Sequence, residues 1–242
     1  MSKIDPTSPL PLYYQLKEIL LDNIHSGVWN IGELIPSENQ LCEEYNISRN
    51  TAQRAIKELV QDGILSRRQG IGTFITAPKI EQDLSGVYSF TDTMIKNGIT
   101  ASSKVLSLTV EPAGKKHGEI LGVKETDPLI VLTRIRYANN APMMVETSRI
   151  PQALVPGLED KVSENTSLYE TFTYDYQIFV TRIKEVFEPV LTSKQESKWL
   201  QIDPESPAIL LERTAYTAQG QAVEFCRSIV PGNKCRFYTE MR

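Results

Sequence analysis

Apolar residues recur at helical spacing in the first third of the chain and at strand spacing in the remainder. Over residues 48–61, Ala52, Ala55, Ile56, Leu59 and Val60 mark the buried stripe of an amphipathic helix. Asn50, Gln53, Arg54 and Lys57 fall at i, i+3, i+4, i+7 on another face. Ser48 is placed to cap this helix and Asp62-Gly63 to end it. Ile64-Leu65-Ser66 and Thr73-Phe74-Ile75 then predict two short strands around a tip carrying Arg67, Arg68, Gln69 and Gly70. Upstream, Leu12, Leu16, Ile19, Leu20 and Ile24 predict a first helix, and Val28–Gly32 a small strand. Ser37 with Gln40 has the spacing of a capping box that opens a second helix. Three helices followed by a Gly-tipped basic hairpin read as a winged helix-turn-helix, its third helix suited to the major groove of a duplex.

After a Pro-containing, poorly periodic stretch the pattern changes. Strands are predicted at 103–112, 129–138, 142–150, 182–191, 208–217, 222–230 and 235–241, and short helices at 113–121, 166–174 and 193–200. Ser89 with Asp92 again has capping-box spacing. Asn139-Asn140 and Gln219-Gly220 predict hairpin turns. The expected architecture is α+β: a winged helix-turn-helix domain over 1–76, a linker over 77–88, and an antiparallel-sheet domain over 89–242.

The net charge of −4 changes the picture only locally. Residues 48–70 carry five Lys/Arg against Glu58 and Asp62. Phosphate binding depends on the contacting face rather than the total, so a basic helix and wing on an acidic chain suit sequence-specific binding over promiscuous binding. With 242 residues there is room for two domains. No apolar run approaches the ~20 residues of a membrane span, and the first residues lack a signal-peptide core, so a cytoplasmic location is expected. Cys42, Cys226 and Cys235 have no metal-ligand spacing, and no metal or cofactor is expected.

In strand 129–138, Arg134 and Arg136 share one face, about 7 Å apart by strand rise. Such a pair can grip a phosphate or carboxylate; two solvated arginines would show the same pattern. Glu146 and Glu224 could meet sugar hydroxyls or could pair with those arginines. The helix starts at Ser89-Phe90-Thr91 and at Ser167–Tyr169 could cradle an anion or simply cap.

The runs PLYYQLKEIL, LIPSENQLCEEYNISRNTAQRAIKELVQDGIL and RRQGIGTFI closely resemble the DNA-binding domain of GntR-type bacterial transcription regulators over about residues 9–76. That resemblance implies a homodimer on a palindromic operator. It places DNA contacts on Arg49 and Thr51 and on the wing around Gln69-Gly70; with the polar helix face and the basic tip, the expected DNA-contacting set is Ser37, Arg49, Asn50, Thr51, Gln53, Arg54, Lys57, Arg67, Arg68, Gln69 and Gly70. The chain departs from the family pattern at Asn39, Gln53 and Ile71, where cations are usual. The runs YSFTDTM, LTRIRYANNAPMMVETSRIP, SLYETF and VEFCRS resemble the UTRA effector domain of the HutC subgroup, whose fold is chorismate-lyase-like. By that resemblance Ser89, Phe90, Thr91, Arg134, Arg136, Glu146, Ser167, Tyr169, Glu224 and Arg227 line an effector pocket. The implied function is a ligand-controlled regulator, most simply a repressor, whose effector is a phosphorylated sugar or amino sugar, or else an unphosphorylated carboxylate. An enzyme of chorismate-lyase-like fold is the rival reading. It lacks a nucleophile motif, a P-loop or a metal spacing, and His25 and His117 are the only histidines. A redox pair of Cys226 and Cys235 is a further alternative.

Overall fold

Leu16, Leu20, Leu41, Ala52, Ala55, Ile56, Leu59, Leu65 and Ile75 share one buried cluster. Their spacing dictates the first of two units into which the chain divides, Met1–Lys79 and Ile80–Arg242. The structure is a computed structural model and describes residues 4–68, 70–76, 79–164 and 166–240.

In the first unit, helices α1 (Leu12–His25), α2 (Glu38–Tyr45) and α3 (Arg49–Gln61) precede the hairpin β1 (Leu65–Arg68) and β2 (Gly72–Ile75). Ser37 and Gln40 form the capping box of α2. Asn46, in left-handed backbone at φ 50°, closes α2 and turns the chain toward Ser48, whose Oγ accepts from the Thr51 amide at 3.2 Å. The strand predicted over Val28–Gly32 is a turn instead. Gly32 takes a φ of +87°, which breaks the extended run, and the third strand-like contact of the wing comes from Leu34, bridged antiparallel to Phe74.

The second unit opens with β3 (Ile80–Asp83), in the stretch read from sequence as linker. It continues through α4 (Phe90–Lys96), β4 (Ala101–Pro112), α5 (Gly114–Leu121), β5 (Pro128–Ala138), β6 (Ala141–Pro151), α6 (Leu168–Tyr176), β7 (Arg182–Leu191), α7 (Lys194–Leu200), β8 (Pro207–Tyr216), β9 (Ala222–Pro231) and β10 (Cys235–Tyr238). Six strands form one antiparallel sheet in the order β4-β5-β6-β9-β8-β7. β10 stands apart from it, paired in parallel with β3, Cys235 opposite Ile80. Residues 80–83 are therefore strand because a partner far away in sequence satisfies their backbone; residues 77–78 lie outside the described residues. Asn139 and Asn140 both adopt positive φ at the β5–β6 turn, as a two-residue hairpin requires.

Register aligns the polar residues of this sheet into rows. Arg134, Glu146, Ser228 and Leu211 face one another across β5, β6, β9 and β8. The adjacent row runs Leu132, Ser148, Cys226, Arg213 and Glu185. No helix among the described residues is long and apolar enough to cross a membrane.

Candidate functional site

On the first unit, Arg49, Asn50, Arg54 and Lys57 are exposed along α3, opposite its buried stripe of Ala52, Ala55, Ile56 and Leu59. Thr51 is half-buried, its hydroxyl 2.8 Å from that of Ser48. The Arg54 guanidinium lies 3.7 Å from the centre of the Tyr13 ring and 3.5 Å from Glu58. Lys57 makes no ion pair among the described residues. Ser37 is engaged in its capping box. Gly70 is exposed at the wing tip with φ +76°, a conformation that suits glycine. Gln69 and the side chain of Arg68 lie outside the described residues. One residue absent from the sequence candidates gathers several of them: Glu38 accepts from Gln53 at 2.9 Å, pairs with Arg67, and lies 3.6 Å from Arg49. A glutamate in a helix start carries no sequence signal of that role.

On the second unit, the polar rows of the sheet floor a cavity of about 80 Å³, closed by the starts of α4 and α6 and by β3 and β10. By the ~10–15 Å³ one water centre needs, it has room for several waters. Ser89, Phe90, Thr91, Arg134, Arg136, Glu146, Ser167, Tyr169 and Glu224 line it. Arg227 does not: it is exposed and lies 3.6 Å from Glu196. Three residues apart on a strand, Glu224 and Arg227 must point to opposite faces, and the even positions Glu224, Cys226 and Ser228 are the ones turned inward. Arg213, absent from the candidates, enters the cavity from β8. It pairs with Glu185 at 2.7 Å and donates to the Tyr88 carbonyl at 2.9 Å. Its position inside the apolar run of β8 was the available signal.

Arg134 and Arg136 are only 2% and 4% exposed. Arg134 pairs with Glu146 and donates to the Thr166 carbonyl at 3.1 Å. Arg136 lies 3.5 Å from the same Glu146 oxygen, donates to the Thr91 hydroxyl at 3.1 Å, and stacks 4.6 Å from the Phe90 ring centre. The Nε of each arginine has no hydrogen-bond partner among the described residues. The helix starts are less free than the sequence suggests. Asp92 accepts from the Ser89 amide at 3.3 Å, and Ser167 Oγ accepts from the Glu170 amide at 3.4 Å.

Burial depresses the Arg136 guanidinium to about 10 despite Glu146. Burial works to raise the Glu146 carboxyl, but the two arginines overcome it and hold Glu146 below its ordinary range. Glu224 goes the other way: burial and the neighbouring Glu146 charge push it up, only partly offset by Ser148, Arg213 and Arg134. Burial lifts the Cys226 thiol to about 12. Ser148 Oγ and the Tyr169 hydroxyl form no hydrogen bond of ordinary geometry among the described residues. The chemistry of these groups suits binding an anion; among the described residues of the cavity none forms a nucleophile–base pair.

Residues 12–75 match the family model described as bacterial regulatory proteins, gntR family, and residues 96–236 match that of the UTRA domain. The chain is 34% identical to the HTH-type transcriptional repressor NagR of Bacillus subtilis, over 97% of this chain and 96% of that one. It is 31% identical to a probable fructoselysine utilization operon transcriptional repressor of Escherichia coli K12, over 94% and 95%. Among solved structures it is similar to PhnF from Mycobacterium smegmatis, with a TM-score of 0.69 at 28% identity, covering 93% of this chain and 98% of the other.

Proposed function

The chain belongs to the GntR family of bacterial regulatory proteins, HutC subgroup, as a transcriptional repressor and not an enzyme, and from that premise we propose its trigger: a small anionic effector, a phosphorylated sugar or amino sugar, that enters the Arg134–Arg136 cavity and weakens operator binding.

The observation that carries this reading is a charge imbalance. Two buried guanidiniums share one carboxylate, that of Glu146. The third cation, Arg213, is matched by Glu185, and Glu224 makes no ion pair with any of the three among the described residues. A buried, incompletely matched cation costs several kcal/mol unless an anion arrives. Planar guanidiniums with unused N–H groups suit the oxygens of a phosphate or carboxylate. The fructoselysine relative, named for the use of a sugar derivative, supports the sugar half of the reading. The cavity is tight for a sugar phosphate, so the guest must displace Glu146 from the arginines and widen the space. A compact unphosphorylated carboxylate is the second reading, favoured by that same tightness.

The reading heads act as a pair in a homodimer on a palindromic operator, contacting it through the exposed face of α3 and the wing. What supports a dimer is β7, which among the described residues pairs only with β8 and leaves Val186 and Leu191 more than half exposed. Release requires that the effector bind the operator-free state better than the operator-bound one. Thermal-shift screening against phosphorylated sugars, unphosphorylated sugars and small carboxylates, repeated with operator DNA, tests the proposal. A shift produced only by neutral or cationic compounds overturns it.

A further inference from the structure

Glu38 is the first residue of α2, so its carboxylate sits at the positive end of that helix. Its two oxygens tie together three side chains from two other elements. Oε1 accepts from the Arg67 guanidinium on the wing strand β1. Oε2 accepts from Gln53 Nε2 at 2.9 Å, and the Arg49 Nε lies 3.6 Å from it. The Glu38 side chain is 20% exposed, whereas Arg49 and Arg67 are 69% and 50% exposed. One shielded anion thus anchors the inner edge of an array whose outer edge faces solvent.

Phosphate attracts cations wherever they sit, and each phosphate neutralised adds about 0.9 to the salt slope of binding. Base edges instead require donors held in fixed directions. An arginine already facing a carboxylate must give up that partner to take a backbone phosphate, yet it remains oriented for a base edge. Gln53, uncharged, gains only the orientation.

We propose that Glu38 is a positioning residue for operator reading. It aligns Arg49, Gln53 and Arg67 and competes with backbone phosphate for the two arginines, lowering affinity for unmatched DNA relative to the operator. The inference rests on the reading of those three residues as DNA-facing.

The test compares the full-length protein with Glu38→Gln and Glu38→Asp. The probes are a duplex selected by the unsubstituted protein from a random pool and a scrambled duplex of the same length, both titrated over a range of salt. Glu38→Gln keeps the size and an acceptor for Gln53 while removing the charge. Its affinity for scrambled duplex should rise several-fold, its preference for the selected duplex should fall about tenfold, and its salt slope should steepen by about one. Glu38→Asp, still charged, should keep the original salt slope with a partial loss of preference. Melting curves fix the folded fraction of each variant, and a merely structural stitch would leave preference and slope of the folded fraction unmoved. Unchanged preference and slope in Glu38→Gln overturn the proposal, as does an equal loss on both duplexes. If Arg49→Ala weakens the selected duplex while Glu38→Gln behaves like the parent, this inference alone fails. If neither Arg49→Ala nor Arg67→Ala matters, the underlying reading fails with it.

Discussion

Arg134 and Arg136 address the same atom, Oε1 of Glu146, from two positions on one strand, and Glu146 faces Arg134 directly across the β5–β6 ladder. A single carboxylate therefore serves as counter-ion to two buried guanidiniums. It is the group an incoming anion would replace.

Removing one arginine leaves the remaining pair in balance and takes away the reason for a guest. Arg134→Ala should abolish the rise in melting temperature that a phosphorylated sugar produces. Arg136→Lys, which keeps charge but loses the planar fork, should retain only part of it. Isothermal titration alongside melting curves checks both. A ligand shift of parental size in Arg134→Ala would refute the assignment.

Glu224 leads to a pH prediction for the cavity. Its folded-state pKa lies above the ordinary 4.5, so in the window above 4.5 the folded protein holds a proton that the unfolded chain has released. That contribution to stability is complete below 4.5 and is lost as pH rises through the raised value. Protonation also removes a negative charge from the site. Anion affinity should therefore strengthen as pH falls through the raised value, and Glu224→Gln should flatten that dependence and raise the melting temperature at neutral pH. Calorimetric titrations across pH 4.5–8 read both effects.

The exposed edge of α3 leads to a third expectation. Arg49→Ala should weaken binding to a selected operator by about 1–3 kcal/mol, the range for loss of one specific base contact. Ile71→Ala at the wing, where the side chain is 64% exposed, should change it little. Fluorescence anisotropy at fixed salt distinguishes the two.

Strand β7 offers the fourth. Val186→Asp on the unpaired edge should shift the protein toward monomer in sedimentation velocity and reduce operator affinity, with no loss of the cavity's anion response at high protein concentration. An unchanged sedimentation coefficient at micromolar concentration would place the dimer contact elsewhere.

Much of this architecture was legible in the sequence because each signal was local. Ser37, Ser89 and Ser193 cap the helices that follow them, and each is answered by Gln40, Asp92 or Glu196 three residues on. Alternation along β5 revealed that Arg134 and Arg136 share a face, but period two does not say whether a face is covered. That required the neighbouring strands and α4. Arg227 was misplaced because a motif read as a string ignores the parity that sends alternate residues to opposite sides. Arg213 and Glu38 were missed for a different reason. Their partners, Glu185 and Tyr88 in one case and Gln53 and Arg67 in the other, lie 15 to 125 residues away. The strand at Ile80–Asp83 was hidden in the same way, since its backbone is satisfied only by residues near the other end of the chain.

The pairing of β3 with β10 makes the effector unit a closed loop fastened at its two extremities. Ile80, Gln82, Cys235 and Phe237 on that clasp are also part of the cavity wall. A guest too large for the resting space would push on the place where the unit is buckled as well as on the sheet beneath it. Trimming the chain back to Gly232 would undo the buckle, leaving the six-stranded sheet without one of its enclosing walls.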